Sequence, residues 1–236
     1  MAKTVPLNNI DHKDLRIVTA RSARLGDSVM HVLTFPSEFR SLQAHYPIVF
    51  QKNAEGQFQP IVLLGFKDRQ NLFLTREGWD ATYVPLMIER QPFLIGRSGE
   101  QLMVHVDLES PRASRTEGEA VFLPHGGNSD FLERMNSVLL AIHEGIAGTP
   151  PFIAALMKHD LLESFVFDIR LADGTDSRLT GFYVINEEHL AELSATALEE
   201  LNRAGFLQAI YMAVASLSNF RALIERQNRL NAGDLN

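Results

Sequence analysis

The sequence predicts an α+β protein in which a strand-rich first half packs with a carboxyl-terminal helix, β-hairpin, helix region in one mixed core. Three observations carry that prediction. Short apolar groups broken by prolines and turn residues fill the first hundred residues. The apolar period becomes that of a helix after Ser129, and it returns to two at Phe165 before the chain closes in helices. With 236 residues, 45% of them hydrophobic, the chain can fill a substantial core without a metal or disulfide staple.

Taken in order, residues 17–18, 29–35 and 48–50 read as short strands, and 37–45 as a helical turn carrying Phe39 and Leu42 on one side. Pro47 stops that turn. Residues 53–56 form a turn, 60–66 a buried strand and 71–75 its hairpin partner. Segments 92–95 and 101–107 add strands, the second with Leu102, Val104 and Val106 on one face. Residues 109–127, rich in Pro, Gly, Ser, Thr and Glu, read as a long loop or domain connection.

The second half begins with Asp130 and Glu133 at capping-box spacing, ahead of the stripe Phe131, Met135, Leu139 and Ile142. This helix ends near Gly145, and Thr149 caps a second one with Pro150 in its first turn, reaching about His159. Phe165, Phe167 and Ile169 alternate with Val166, Asp168 and Arg170, Asp173 and Gly174 turn the chain, and 179–185 returns. Asp168 and Arg170 form a surface charge ladder. Asn186 caps 187–193, Thr196 and Glu199 box the next helix, and Gly205 stops it. Leu207, Ile210, Tyr211, Val214 and Leu217 line a longer helix that Leu223 and Ile224 extend. The whole reads as a single domain, 1–236, or as two intimate subdomains, 1–108 and 129–236, connected by 109–128.

Composition narrows the chemistry. A formal net charge of −7 opposes a broad phosphate-binding face, and the aromatic residues lack the surrounding Lys and Arg that nucleic acid requires. Cys 0 removes thiolate nucleophiles, disulfides and cysteine metal sites. No histidine pair has metal-ligand spacing, so neither a metal nor a cofactor is expected. GxSxG is absent, and IGRSG at 95–99 lacks both the dinucleotide fingerprint and the phosphate-loop pattern, so it reads as a turn. The amino end lacks the apolar core of a secretory signal, and no uninterrupted apolar run reaches the roughly 20 residues of a membrane span. A cytoplasmic protein without a transmembrane segment is expected.

Two constellations remain. Tyr46, Trp79 and Tyr83 are amphipathic aromatics suited to a binding groove, with Arg112 as an anchor for an anionic group. Glu117 and Glu119, two apart, are the acid/base candidates of an enzyme, with His45 as a base. Structural packing and solvated loop acids are the bland counterparts of these readings.

The chain resembles the SapC family through HYPIVF at 45–50, PIVLLGF at 60–66, NLFL at 71–74, GWDATYVP at 78–85 and PFLI at 92–95. The resemblance continues through SPR at 110–112, EGE at 117–119, FLE at 131–133, RLADG at 170–174 and LTGFYVI at 179–185. It implies an association with bacterial surface-layer transport, and with genes for outer-membrane uptake receptors, halogenase-like and cupin-like proteins. It supplies no catalytic residue set. The leading expectation is a non-catalytic binding or assembly factor in a surface-layer, glycan-uptake or protein-modification system, with a protein partner. The alternative is an enzyme acting on a peptide or glycan; a homodimer through the terminal helices is a third reading.

Overall fold

A computed structural model describes residues 4–98, 101–172, 174 and 176–233. Gly99 of the expected IGRSG turn and Asp173 of the expected Asp-Gly turn lie outside the described residues. Its strands are β1 (Thr4–Pro6), β2 (Arg16–Ile17), β3 (His31–Leu33), β4 (Ile48–Lys52), β5 (Phe58–Leu63), β6 (Leu74–Thr75) and β7 (Gly78–Trp79). They continue with β8 (Phe93–Ser98), β9 (Gln101–Asp107), β10 (Ala113–Ser114), β11 (Glu119–Ala120), β12 (Leu162–Arg170) and β13 (Asp176–Ile185). The helices are α1 (Phe39–Leu42), α2 (Leu86–Glu89), α3 (Asp130–Lys158), α4 (Glu187–Ala191), α5 (Ala195–Arg203), α6 (Phe206–Ser216) and α7 (Asn219–Ala232). This is the mixed α+β architecture the sequence predicts, with the longer helices toward the carboxyl end. The chain forms two compact units, Met1–Ser28 with Leu86–Glu144, and Val29–Pro85 with Gly145–Asn236.

The first unit holds two three-stranded sheets, β1-β9-β8 and β10-β2-β11. Residues 109–128, expected to connect two halves, belong to this unit: β10 and β11 both pair with β2, at Ala113↔Ile17 and Glu119↔Ile17. Gly118 makes that pairing feasible. Its φ is +91°, and a Cβ there would stand 2.1 Å from the Ile17 carbonyl oxygen. The unit is tied by a buried ion pair: Arg112, 1% exposed, gives Nη2 to both carboxylate oxygens of Asp27 at 2.6 Å. Its Nη1 donates to the Val18 and Ala20 carbonyls at 2.9 Å, while the Asp27 carboxylate also accepts the Ser22 N–H at 2.8 Å. Arg21 approaches the same carboxylate at 3.5 Å, and burial, then the Arg112 charge, lowers the Arg21 pKa.

The second unit is built on the five-stranded antiparallel sheet β12-β13-β4-β5-β3. Ile48, Val49 and Phe50 on β4, and Ile61, Val62 and Leu63 on β5, are all 0–1% exposed. Consecutive burial means that both faces of these central strands are covered, which erases the period of two that a half-buried strand shows. β12, at the sheet edge, keeps an alternating pattern over part of its length, and the Phe165 and Phe167 rings stack with centroids 5.6 Å apart. Its partner is β13, and the charge ladder consists of the cross-strand ion pairs Asp168–Arg178 and Arg170–Asp176. Residues 71–75 do not form a hairpin strand with β5, whose sheet neighbours are β4 and β3; Leu74 and Thr75 pair with Trp79 and Gly78 instead.

Helix α3 overturns the expected break at Gly145. It is continuous over 29 residues, with Pro150 and Pro151 inside it. Thr149 does not cap a new helix; its Oγ1 donates to the Gly145 carbonyl at 2.9 Å. Gly145 is there for space, because a Cβ would meet Cδ2 of Phe35 at 2.1 Å. Ser129, one residue before Asp130, accepts the Leu132 N–H at 3.2 Å, and Ser194 rather than Thr196 caps α5 by accepting from Ala197. Asn186 caps α4 as expected, and Gly205, at φ +75°, separates α5 from α6. The expected long last helix is divided into α6 and α7. By length and composition the stretches Asp130–Lys158 and Phe206–Ala232, of hydropathy 1.3 and 1.2, are apolar enough to cross a membrane. Phe152, Leu156, Ile210, Phe220 and Leu223 from these stretches are spent in the core of the second unit.

Asp27→Ala strands the Arg112 charge in the interior of the first unit, and a loss of about 3–5 kcal/mol in urea unfolding is expected. The double variant Asp27→Ala/Arg112→Met removes the stranded charge and recovers a measurable part of that loss.

Candidate functional site

In the second unit, three of the four residues expected to bind a ligand converge. Tyr46 sits between the turn that ends α1 and the start of β4, is fully buried, and donates its hydroxyl to the Tyr83 carbonyl. The same oxygen accepts the indole N–H of Trp79 at 2.8 Å. Phe73 completes the cluster, its ring 4.6 Å from Tyr46 and stacked on Trp79 at 6.2 Å. The Arg226 guanidinium lies 4.4 Å from the Phe73 centroid and is held by the side chain and carbonyl of Asp80.

A buried carboxylate extends the network. Glu38, 3% exposed, accepts the Tyr83 hydroxyl at 3.1 Å on one oxygen and the Thr34 hydroxyl at 2.7 Å on the other. A chain of contacts thus runs Thr34, Glu38, Tyr83, Tyr46, Trp79. His45 stands beside it, its ring edge-on to Tyr46 at 5.9 Å and its Nε2 2.8 Å from the Thr82 hydroxyl. Burial raises the Tyr46 pKa well above its ordinary value, against a smaller lowering by the Trp79 hydrogen bond. The polar atoms of these aromatics face one another, so the cluster acts as an internal brace.

The remaining candidates are apart from it in the chain's organisation. Arg112 belongs to the first unit, where Asp27 and two carbonyls take both terminal nitrogens of its guanidinium. Glu117 and Glu119 are also in that unit, both exposed, on either side of Gly118, whose carbonyl accepts Arg16 Nε at 2.9 Å. Among the described residues no group of three His, Asp or Glu side chains is placed to hold a metal ion.

Sequence reasoning missed an open apolar groove of about 620 Å³ in the second unit. One wall is the β4–β5 hairpin, with Lys52, Phe58 and Pro60; the other is α3, with Ile146, Pro150, Ile153 and Met157; Leu33 and Thr34 complete the lining. Met157, Ile146 and Leu33 are 59%, 50% and 36% exposed, and it is their gathering along one groove that singles them out. The signal was present at 146, 150, 153 and 157, an i, i+4, i+7, i+11 stripe, but a helix divided at Gly145 hid it. Thr34 lines the groove and also donates to Glu38, which joins the groove to the aromatic brace.

Compared with known proteins, the chain matches the model of one protein family, SapC, over residues 7–223. No curated protein and no solved structure matches it.

The brace is testable through Trp79, the single tryptophan of the chain. Tyr46→Phe removes the acceptor of its indole N–H and is expected to cost about 1–3 kcal/mol in urea unfolding followed by tryptophan emission. The pH dependence has a definite sign: because burial raises the folded-state pKa, the unfolded chain releases the Tyr46 proton first, above about pH 10. Stability contributed by Tyr46 is therefore complete below that pH and declines above it, so unfolding midpoints fall less steeply between about pH 9 and pH 11 in Tyr46→Phe than in the wild type.

Proposed function

The chain belongs to the SapC family, whose model covers residues 7–223, and from that premise we propose that it is a non-catalytic binding or assembly factor. It serves a bacterial surface-layer, glycan-uptake or protein-modification system, from the cytoplasm, and its ligand is a partner protein. The observation that carries this reading is the open apolar groove between the β4–β5 hairpin and α3. Exposed apolar side chains on a rigid helix and a rigid hairpin lose little entropy on docking, which favours protein recognition.

The distribution of polar groups supports the same reading. Acid/base catalysis on a peptide or glycan needs two titratable groups with separated acidities facing one pocket. The groove lining contains no Asp, Glu or His, and its one charged residue is Lys52. Arg112 is committed to Asp27, and Glu117 and Glu119 stand exposed.

The test is quantitative affinity capture from native cells with the full chain and with Ile146→Glu/Met157→Glu, a pair chosen because both side chains are already half exposed. One identified protein should be recovered by the wild type and reduced by at least about tenfold with the variant. Equal recovery by both would remove the groove from the function. Turnover of a cellular metabolite by the purified protein, lost in Glu117→Gln or Glu119→Gln, would replace the binding reading with the enzymatic one.

A further inference from the structure

The main chain beside the groove specifies the form of what docks there. Along an antiparallel strand, successive residues turn their N–H and C=O alternately to the two neighbours. On β5 the odd-numbered residues face β4, as the bond from the Leu63 N–H to the Pro47 carbonyl at 3.1 Å requires. The even-numbered residues face β3, where the Pro60 carbonyl accepts the Thr34 N–H at 3.1 Å. The register sets Val32 opposite Val62 and Leu33 opposite Ile61, so Pro36 would fall opposite Phe58. By Pro36, however, the chain has turned into the 3-10 helix Pro36–Glu38, and proline has no N–H to offer. Phe58 therefore directs its N–H and C=O to a place that β3 has vacated.

That place is the groove. Leu33, Thr34, Phe58 and Pro60 all line it, and the α3 stripe stands across it. At the hairpin end Lys52 contributes the only charge of the lining, its ammonium 5.0 Å from the Phe58 ring centroid and 5.4 Å from that of Tyr183. Among the described residues no carboxylate lies within ion-pair distance of it, although the chain carries a net charge of −7. A helix seated here would drive water from the Phe58 N–H and C=O and leave both unpaired, since a helix satisfies its own main chain. An extended segment pairs with both.

We propose that the groove takes an extended segment of a partner protein, which adds to β5 at Phe58 as a short strand continuing the line of β3. Its alternate apolar side chains pack on Pro60 and the α3 stripe, and an acidic side chain meets Lys52. This inference rests on the docking reading of the groove and adds the backbone conformation and the charge of the occupant. It is the strand-addition mode of recognition, with main-chain bonds for affinity and side-chain pockets for selection.

The experiment pans a library of end-blocked peptides, apolar at alternate positions with one variable site, against the full chain. Binders are measured by fluorescence anisotropy. An acidic residue should be selected at the variable site, and binding should weaken by about tenfold or more against Lys52→Glu while surviving Lys52→Arg. N-methylation of the peptide should cost about tenfold or more at every second residue only, a readout that leaves the protein unaltered. Peptides that tolerate N-methylation throughout but lose affinity for Ile146→Glu/Met157→Glu would overturn strand addition and leave the docking groove in place. Selection of no binder, or of binders indifferent to Ile146→Glu/Met157→Glu, would overturn both.

Discussion

The turn of the chain at Pro36 is the constraint from which the second unit takes its character. A proline there cannot donate to β5, and the chain turns at it into the 3-10 helix, so β3 stops at Leu33 while β5 extends outward as far as Phe58. The turn carries Glu38 into the interior, where a carboxylate is tolerable only with donors on its oxygens. Thr34, just before the turn, and Tyr83, from a distant segment, provide them. One backbone change thus creates both the vacancy beside β5 and the need for the polar brace beneath it.

The same accounting explains why the residues best suited to ligand binding are occupied internally. A buried guanidinium must be paired, and Arg112 spends its terminal donors on Asp27 and two carbonyls. Trp79 gives its indole N–H to the Tyr46 hydroxyl across 33 positions of sequence, Tyr46 gives its own proton to the Tyr83 carbonyl, and Arg226 rests on Phe73 with Asp80 neutralising it. Arginine and tyrosine are chosen for binding sites because they combine apolar area with directional donors, and a protein interior needs the same combination. Residue type cannot separate the two uses; the position of the partner does.

The sequence was most informative where structure is local. The hairpin of β12 and β13 was legible because an edge strand buries one side and so alternates, and the Asn186 cap because a cap involves residues three apart. Ser129 and Ser194 were missed in favour of Asp130 and Thr196, since capping-box spacing alone does not say which of two polar residues one or two positions apart leaves the helix. Gly145 was misread as a stop. Glycine ends helices when it adopts a left-handed conformation, but here it gives room to the Phe35 ring, 110 positions earlier in the chain by its number. The Arg112–Asp27 pair, 85 positions apart, and the vacancy beside Phe58 depend on tertiary pairing that no local pattern encodes. The apolar stripe of α3 was the exception, a local signal lost to an error in helix length.

An unpaired sheet edge beside apolar side chains is ordinarily a hazard, because any extended chain can pair with it. The open edge here is short. Pro60 removes one donor two residues from Phe58, and beyond Phe58 the strand gives way to the turn around Gly56. Lys52 adds a charge at that end, which disfavours addition of a purely apolar strand and of basic ones. A partner must therefore be extended over only a few residues, fill the space against α3 and bring its own negative charge. The features that restrain unspecific pairing are the ones that give the groove its selectivity.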